Sequence, residues 1–444
     1  MLGQRMSPRI WGEDLDSPTM LNYYVDHPPL VPLLVSFNYR IFGISEASTR
    51  LVAITFSLLS LFFVYLIALK LFDPDTALLA VSLLTLTPMF LFFGRMTNHE
   101  VVTNFFVLAA IYAYMLWVDA RIAKNFALLL LALIFGMAAG WPAYYVAGLL
   151  SAHCLFFVRD GRKGNVSMIV ALPVVAVLMF GLFIYHVYLL EGMEGLTSLM
   201  DKFLLRAGGG FRWTEFIATL ARYFDYGFTP VLILLAFLYA AIDPARSRES
   251  GTVFRLTDSI LLLMFGFASI HVLLFKQAAL EHPYWIFYFI APIAICAARA
   301  VYILANPKNQ NAKVFAAGVY AFFLVLLVWL SYPRMKYFNT ANRVHAYRLG
   351  QSIHQHSSPG DIIVMPLGYQ GTQLPYYADR DVRYWITTLA ALDDILANRR
   401  VNYRYYFMPK GEVVEDRLQE FLRNNYAATS WDGDVFYDLH SQRR

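Results

Sequence analysis

The sequence predicts a mainly α, polytopic membrane helical bundle of about ten transmembrane helices, followed by a small C-terminal α/β soluble domain. Composition, hydropathy and charge placement carry that reading. Of 444 residues, 58% are apolar and 15% are charged, whereas soluble proteins average about 25% charged. The mean hydropathy is +0.49. Residues 1–331 hold 41 of the 67 charges, while residues 332–444 hold 26 in 113 positions. A purely soluble enzyme is excluded, because so few charges could not cover its surface. The net charge of +5 is spread along the chain, so no nucleic acid partner is expected. Cys154 and Cys296 both lie in apolar stretches and form no disulfide framework.

A helix needs about 20 mostly apolar residues to cross a bilayer. Uncharged runs cover 51–69, 76–94, 101–118, 125–158, 165–190, 226–242, 259–275, 283–298 and 314–333. The run 125–158 would make about 51 Å of helix, too long for one span. Gly140-Trp141-Pro142 sits near its middle and reads as a tight turn between two helices. The count becomes ten.

Loop charges orient the spans. Lys70, Arg121, Lys124, Arg159, Arg162, Lys163, Arg246, Arg248, Arg255, Lys308 and Lys313 fall in every second connection. The alternate short connections hold only Arg95 and Lys276. The basic set faces the cytoplasm on this reading. The external face then carries a first segment, 1–45, with an amphipathic interfacial stretch over Leu30 to Phe42. It also carries the 95–100 turn, the 191–225 loop, the 276–282 turn and the C-terminal domain, 334–444, after a transmembrane bundle over 46–333. The first 45 residues would have to cross the membrane with no signal sequence. The expectation is a further transmembrane helix upstream, lost through a misplaced start or a fragmentary record.

Polar chemistry gathers in those external pieces. Tyr23-Tyr24-Val25-Asp26-His27-Pro28-Pro29-Leu30 is the densest; the Pro pair stiffens the backbone behind Asp26 and His27. The same residues also suit a plain loop ending in an N-cap Asp. Gly94-Arg95-Met96-Thr97-Asn98-His99-Glu100 follows. Arg95 suits a phosphate, and His99 with Glu100 suits a base or metal ligands. A snorkelling Arg and a helix-starting Glu account for them equally well. Loop 191–225 holds Glu191, Glu194, Asp201, Lys202, Arg206, Gly208-Gly209-Gly210, Arg212, Trp213, Arg222 and Asp225. A Gly run beside Arg can present N–H groups to an anion; a flexible solvated loop is the plainer reading. Lys276, Glu281 and His282 precede Pro283-Tyr284-Trp285, where aromatics also fit an interfacial belt. His153, His186 and His271 sit alone within spans and read as hydrogen-bonded helix histidines.

These pieces, in this order, resemble the GT-C type membrane glycosyltransferases. The nearest branch is glycosyltransferase family 39 with its relatives: protein O-mannosyltransferases, the lipid A aminoarabinose transferase and the lipopolysaccharide-core galacturonosyltransferases of rhizobia. The resemblance covers most of residues 20–300. It rests on Asp26-His-Pro-Pro-Leu30, Ile41-Phe-Gly43, Glu46, Arg50-Leu51, Leu71-Phe72, Pro88, Gly94-Arg95, and His282-x-Tyr284-Trp285 with Pro292. Pro375-Tyr376-Tyr377-Ala378-Asp379-Arg380 looks like a segment of the bacterial branch. The ordered set is specific for the superfamily and not for the sugar.

The resemblance implies an inverting transfer of a sugar from a polyprenyl-phosphate-linked donor to a lipid or glycan acceptor, or to protein. The place implied is the external side of a bacterial inner (plasma) membrane, with the C-terminal domain periplasmic and membrane lipids as neighbours. A carboxylate serves as base. Asp26 matches the acidic position before Pro-Pro-Leu, and Glu100 a second acidic position in the next external loop. His27 matches a position that is Lys in the aminoarabinose branch, where it contacts the donor phosphate; Arg95 and Arg206 join it as phosphate-binding residues. His99, His282 and Tyr284 are candidate substrate or metal contacts. The resemblance fixes no cofactor; a divalent cation on Asp26, Glu100 and a His is compatible with the residues, without the spacing demanding one. The family's acidic residue just after its first transmembrane helix has no counterpart here.

In the C-terminal domain, helices are expected over 343–355, 388–399 and 412–425. Strands are expected over Asp361 to Met365, Val382 to Trp385, Tyr403 to Met408 and 434–439. Trp385, Tyr403, Tyr405, Tyr406 and Trp431 could stack on sugar rings or simply fill a small core. Acceptor recognition is the expectation for this domain. The alternative reading of the whole chain is a transporter or flippase of lipid-linked glycans, and a third is a non-catalytic scaffold. A transporter usually carries ionisable groups at mid-membrane, and no acidic residue lies mid-span here.

Overall fold

Apolar runs in a bilayer must satisfy their own backbone groups, and helices do so within one segment. A computed structural model describes residues 25–158, 162–208, 210, 212–249, 256–305, 310–340, 343–367, 373–397 and 401–442. Tyr23, Tyr24 and the rest of the first 24 residues, Gly209 of the glycine run, and the loop cations Arg159, Arg255 and Lys308 lie outside the described residues. The chain divides into a helical unit over 25–338 and a second unit from residue 339 onward.

In the helical unit, α1 (Leu30–Phe42), α2 (Glu46–Leu71), α3 (Pro74–Thr85), α4 (Pro88–Phe93) and α5 (His99–Asp119) come first. Next are α6 (Ala123–Ala139), α7 (Pro142–Phe157), α8 (Arg162–Ala207), α9 (Trp213–Glu249), α10 (Leu256–Leu274) and α11 (Lys276–Glu281). A 3₁₀ turn over Pro283–Phe289 leads into α12 (Ile290–Ala305), and α13 (Gln310–Thr340) closes the unit. Among the described residues, six helices are long and apolar enough to cross a membrane: Glu46–Leu71, His99–Asp119, Val166–Ala207, Trp213–Ile242, Pro283–Ala305 and Ala312–Phe338. The other expected spans form shorter apolar helices: Pro74–Thr85, Ala123–Ala139, Pro142–Phe157 and Ser259–Leu274. The 76–94 run is broken because Pro88 cannot continue α3 and instead starts α4.

The helix α12 is central. Ala291, Ala294, Ala297, Ala298 and Ala300 are all buried, and such small side chains let α3 and α9 approach it closely. The outward faces of α8 and α13 expose Val177, Leu182, Phe315, Phe322, Val325 and Trp329, a surface that suits lipid. One end of the bundle is tied by Asp73. Its carboxylate caps α3 through Thr76 N–H (2.8 Å) and accepts from Arg299 of α12 (2.6 Å). Lys70 pairs with Asp119 nearby in sequence to the ends of α2 and α5.

At the other end, α6 and α7 meet at Gly140-Trp141-Pro142. The backbone of Gly140 is extended there, so conformation does not demand glycine. Space does: a Cβ at Gly140 would lie 2.4 Å from the Thr103 hydroxyl on α5. The reading of 191–225 as a loop is corrected. Helix α8 continues through it to Ala207, with one break at Gly192 (φ +63°, ψ −149°), a conformation essentially reserved for glycine.

The C-terminal unit begins with α14 (Arg343–His356). A mixed five-stranded sheet follows: β1 (Ile362–Val364), β2 (Asp381–Arg383), β3 (Tyr403–Met408), β4 (Tyr426–Trp431) and β5 (Asp434–Gln442). Their order is β2-β1-β3-β5-β4. β1 is parallel to β2 and β3, and β5 is antiparallel to β3 and β4. Leu349, Ile353, Leu374 and Phe407 pack one core. Leu392, Leu418, Leu422 and Tyr406 pack the other. α15 (Gln373–Ala378) serves the first layer; α16 (Leu389–Ala397) and α17 (Asp416–Asn425) serve the second. The mainly helical bundle with a small C-terminal α/β sheet is thus borne out. Tyr403 and Tyr406 are buried core residues, while Trp385 and Trp431 are exposed.

Gly140→Ala should destabilise the protein by about 1–3 kcal/mol through overpacking against Thr103. Gly148→Ala, where a Cβ meets nothing within 4 Å, should be neutral. Thermal unfolding in one detergent measures both.

Candidate functional site

The site is built where the N-terminus of α5, the α6–α7 turn, the segment before α1 and the last turns of α8 converge. Asn98 caps α5 by accepting from Val101 N–H, which puts His99 and Glu100 in its first turn. Negative charge is favoured there by the exposed N–H groups. Thr97 Oγ1 donates to Thr49 O (3.0 Å) and fastens the turn to α2. His99 Nδ1 meets the carbonyl of Ala139, the last residue of α6, at 2.8 Å. Pro28 and Pro29 lead into α1, so Val25 to His27 approach the bundle as a stiff, non-helical arm. The Trp141 indole N–H donates to the Asp26 carbonyl (2.9 Å) and holds that arm.

The Asp26 side chain is 9% exposed, and a buried carboxylate needs partners. Lys202 Nζ donates to Oδ1 at 3.0 Å, and Arg206 lies 3.6 Å from Oδ2. The two cations stand four residues apart on α8, on one helix face. Their side chains remain 35% and 30% exposed, so water screens each pair and its net worth is about 1 kcal/mol at most.

The His27 ring stacks on His99 (centroids 4.2 Å apart, planes 13°). That stack joins the Asp26 arm to the Glu100 turn. Glu100 is 7% exposed, and the charge of Arg206 reaches Glu100, His99, His27 and His282. Asp26, His27, His99, Glu100 and Arg206 are therefore gathered into one cluster. His282 stacks on Tyr284 (5.1 Å, 13°) at its edge. Arg95 is on the flank: its guanidinium lies over the Phe92 ring (5.7 Å), and its carbonyl accepts from Arg50 (3.5 Å). Asp26 takes Lys202 and Arg206 instead as its described cationic partners.

Sequence reasoning placed Lys202 in a solvated loop and saw Trp141 only as part of a turn. The Lys202–Arg206 spacing of four, with apolar Leu199, Phe203 and Leu205 between and beside, was the available sign of a helix. His271, read from sequence as a hydrogen-bonded helix histidine, has such a partner: Tyr145 Oη meets its Nδ1 at 2.5 Å. The partner was missed, because an isolated His in an apolar run does not say what it bonds. As for a metal, among the described residues no group of three or more His, Cys, Asp or Glu side chains could hold an ion.

Burial, then the neighbouring His99 and Arg206, pull the His27 pKa well below its ordinary value. At neutral pH the ring is uncharged, so it offers a hydrogen bond and not a cation; Lys202 and Arg206 carry the positive charge. Burial likewise lowers His282, partly opposed by Glu281.

The comparisons with known proteins accord with this architecture. Residues 26–188 match the family model for dolichyl-phosphate-mannose-protein mannosyltransferase. The structure is similar to ArnT from Cupriavidus metallidurans bound to undecaprenyl phosphate, with a TM-score of 0.64 at 15% identity, covering 97% of this chain and 94% of that one. The apo state of ArnT gives a TM-score of 0.64 at 14% identity over 98% and 94%. The apo oligosaccharyltransferase of Archaeoglobus fulgidus gives 0.56 at 12% identity, over 90% of this chain and 63% of that one. No curated protein matches the chain in sequence. The fold is that of the GT-C type membrane glycosyltransferases. Within that class the arrangement is like that of ArnT, along nearly the whole of both chains.

The depressed His27 pKa has a sign. The unfolded ring titrates near about 6.5 and the folded ring well below it, so the unfolded state binds the extra proton. His27 therefore stabilises the fold above about pH 6.5, and the contribution fades as pH falls toward the folded value. Between about pH 7 and about pH 5, the melting temperature should fall more steeply for the wild type than for His27→Gln. Parallel slopes would show that His27 is not the group responsible.

Proposed function

We propose that the protein transfers a sugar from a polyprenyl-phosphate donor to a hydroxyl of a lipid or glycan acceptor, on the external face of the membrane, inverting the anomeric carbon. The observation that carries this reading is the convergence of two buried carboxylates, Asp26 and Glu100, with Lys202 and Arg206 at one end of an apolar bundle. ArnT from Cupriavidus metallidurans is seen bound to undecaprenyl phosphate, and its likeness over nearly the full chain supports a lipid-phosphate donor here.

In the proposed reaction the acceptor oxygen attacks the anomeric carbon, the bond from that carbon to the phosphate oxygen breaks, and the acceptor proton passes to a carboxylate. The lipid leaves as a phosphate monoester with one more negative charge. Lys202 and Arg206 face that charge, and His27 adds an N–H. Asp26 is the base, placed beside the two cations that face the phosphate. Glu100, in the first turn of α5, positions the acceptor. Arg95 meets the lipid phosphate from the flank. His99, His282 and Tyr284 line the sugar's approach. The placement proposed is a bacterial inner membrane, with the C-terminal unit periplasmic and engaging the acceptor.

With normal membrane insertion, Asp26→Asn should lower sugar transfer by about 10²–10⁴-fold, the range of a positioned proton acceptor, and Glu100→Gln by about 10²-fold, the cost of a misplaced acceptor. Lys202→Ala and Arg206→Ala should weaken binding of undecaprenyl phosphate. Transfer assays in membranes with mass analysis of the product check the first pair. Full transfer by both carboxylate variants would favour a flippase or scaffold.

A further inference from the structure

Below the catalytic cluster, His271 is held in an unusually complete cage. It projects from the end of α10 nearest α11 and is 2% exposed. Nδ1 is engaged by the Tyr145 hydroxyl at 2.5 Å. One ring face lies flat on the Trp285 indole (4.3 Å, 9°), and the Tyr288 ring meets it edge-on (5.0 Å, 84°). Nε2, on the opposite edge of the ring, is buried and has no hydrogen-bond partner among the described residues. A buried polar atom left unmade costs about 1–3 kcal/mol, so a ring fixed this firmly with one idle nitrogen calls for an occupant.

The surroundings say which. Tyr145 stands one helical turn after Trp141 on α7, and Trp141 holds the Asp26 arm. Phe275, which meets the His271 ring, also packs against Phe203, the residue next to Lys202 on α8. The idle nitrogen therefore belongs to the same end of the bundle as Asp26 and its cations. The cage is aromatic and carries no acidic or cationic side chain of its own, so it does not suit a phosphate. The Tyr145 hydroxyl can either donate to Nδ1 or accept from it, which leaves Nε2 as donor or acceptor. A hydroxyl, which does both, satisfies either tautomer.

We infer that His271 Nε2 is a recognition point for a hydroxyl of the donor sugar, with Tyr145 fixing the ring and Trp285 backing it. This rests on the lipid-linked donor reading and adds the part of the site that reads the sugar. His271 contacts substrate away from the reacting bond; Tyr145 acts through it as a positioning residue.

The test is binding of purified, detergent-solubilised full chain to bare undecaprenyl phosphate and to three undecaprenyl-phosphate-linked sugars: a neutral hexose, an aminopentose and a uronic acid. The wild type should bind bare lipid and bind at least one sugar-bearing form more tightly. His271→Phe should keep the bare-lipid affinity within about twofold and lose about five- to tenfold of the sugar-dependent gain, the worth of one hydrogen bond. His271→Gln, which retains a donor and an acceptor, should recover part of it. If bare lipid fails to bind the wild type, the lipid-donor reading falls and takes the subsite with it. If bare lipid binds but no sugar adds affinity, if His271→Phe keeps the gain, or if it loses bare-lipid binding as well, the subsite is overturned while the donor reading stands. A gain retained in His271→Phe would mean that Nε2 holds only a buried water.

Discussion

A carboxylate cannot be left alone near the apolar end of a membrane bundle, and the arrangement around Asp26 follows from that constraint. The idealised cost of moving a carboxylate-sized ion from water to an apolar interior is of order 20 kcal/mol, and several kcal/mol remain after relaxation. Asp26 meets it with two cations from one helix face. Those cations are in reach only because α8 runs on past Gly192 to Ala207. The arm carrying Asp26 is in turn fixed by Trp141, whose position depends on the close approach of Gly140 to Thr103. Without the pairing, Asp26 would be a buried carboxylate with no described cation beside it.

Much of this was legible because membrane chains write their helices in plain apolar runs. The turn at 140–142, the start of α1 at Leu30 and the strand Tyr403–Met408 all fall where the sequence places them. What was illegible was of two kinds. Residues 193–207 mix charge and apolarity at helical spacing, yet Gly192, the glycine run and four charges mask that spacing as a loop. The strand β4, Tyr426–Trp431, has little alternation of its own and is specified by its pairing with β5; a helix was expected to end just before it, and nothing local announces a strand. His271 shows the second kind. Its neighbours Tyr145 and Trp285 lie 126 and 14 positions away in the chain, so no local pattern carries the cage.

Asp26, His27, His99, Glu100 and Arg206 share one cluster, and Arg95 lays its guanidinium over the Phe92 ring. A guanidinium is attracted to an aromatic face, and Arg206 is drawn to a buried carboxylate. Lys202, set beside it on the same face, makes a two-cation surface suited to an anion larger than one carboxylate.

On the proposed reaction, the Asp26 pairing has a second consequence. In the free protein the Asp26 carboxylate holds both cations. A phosphate bearing more charge than a carboxylate competes for the same donors, and the competition strengthens as the carbon–oxygen bond breaks and negative charge builds on the leaving group. Attraction of Lys202 and Arg206 then shifts from Asp26 to phosphate in step with the acceptor losing its proton. One pair of side chains would thus stabilise the leaving group and uncover the carboxylate that accepts the proton. Both cations are about a third exposed and stand on the part of α8 beyond the Gly192 break, so an incoming phosphate can meet them from the water side.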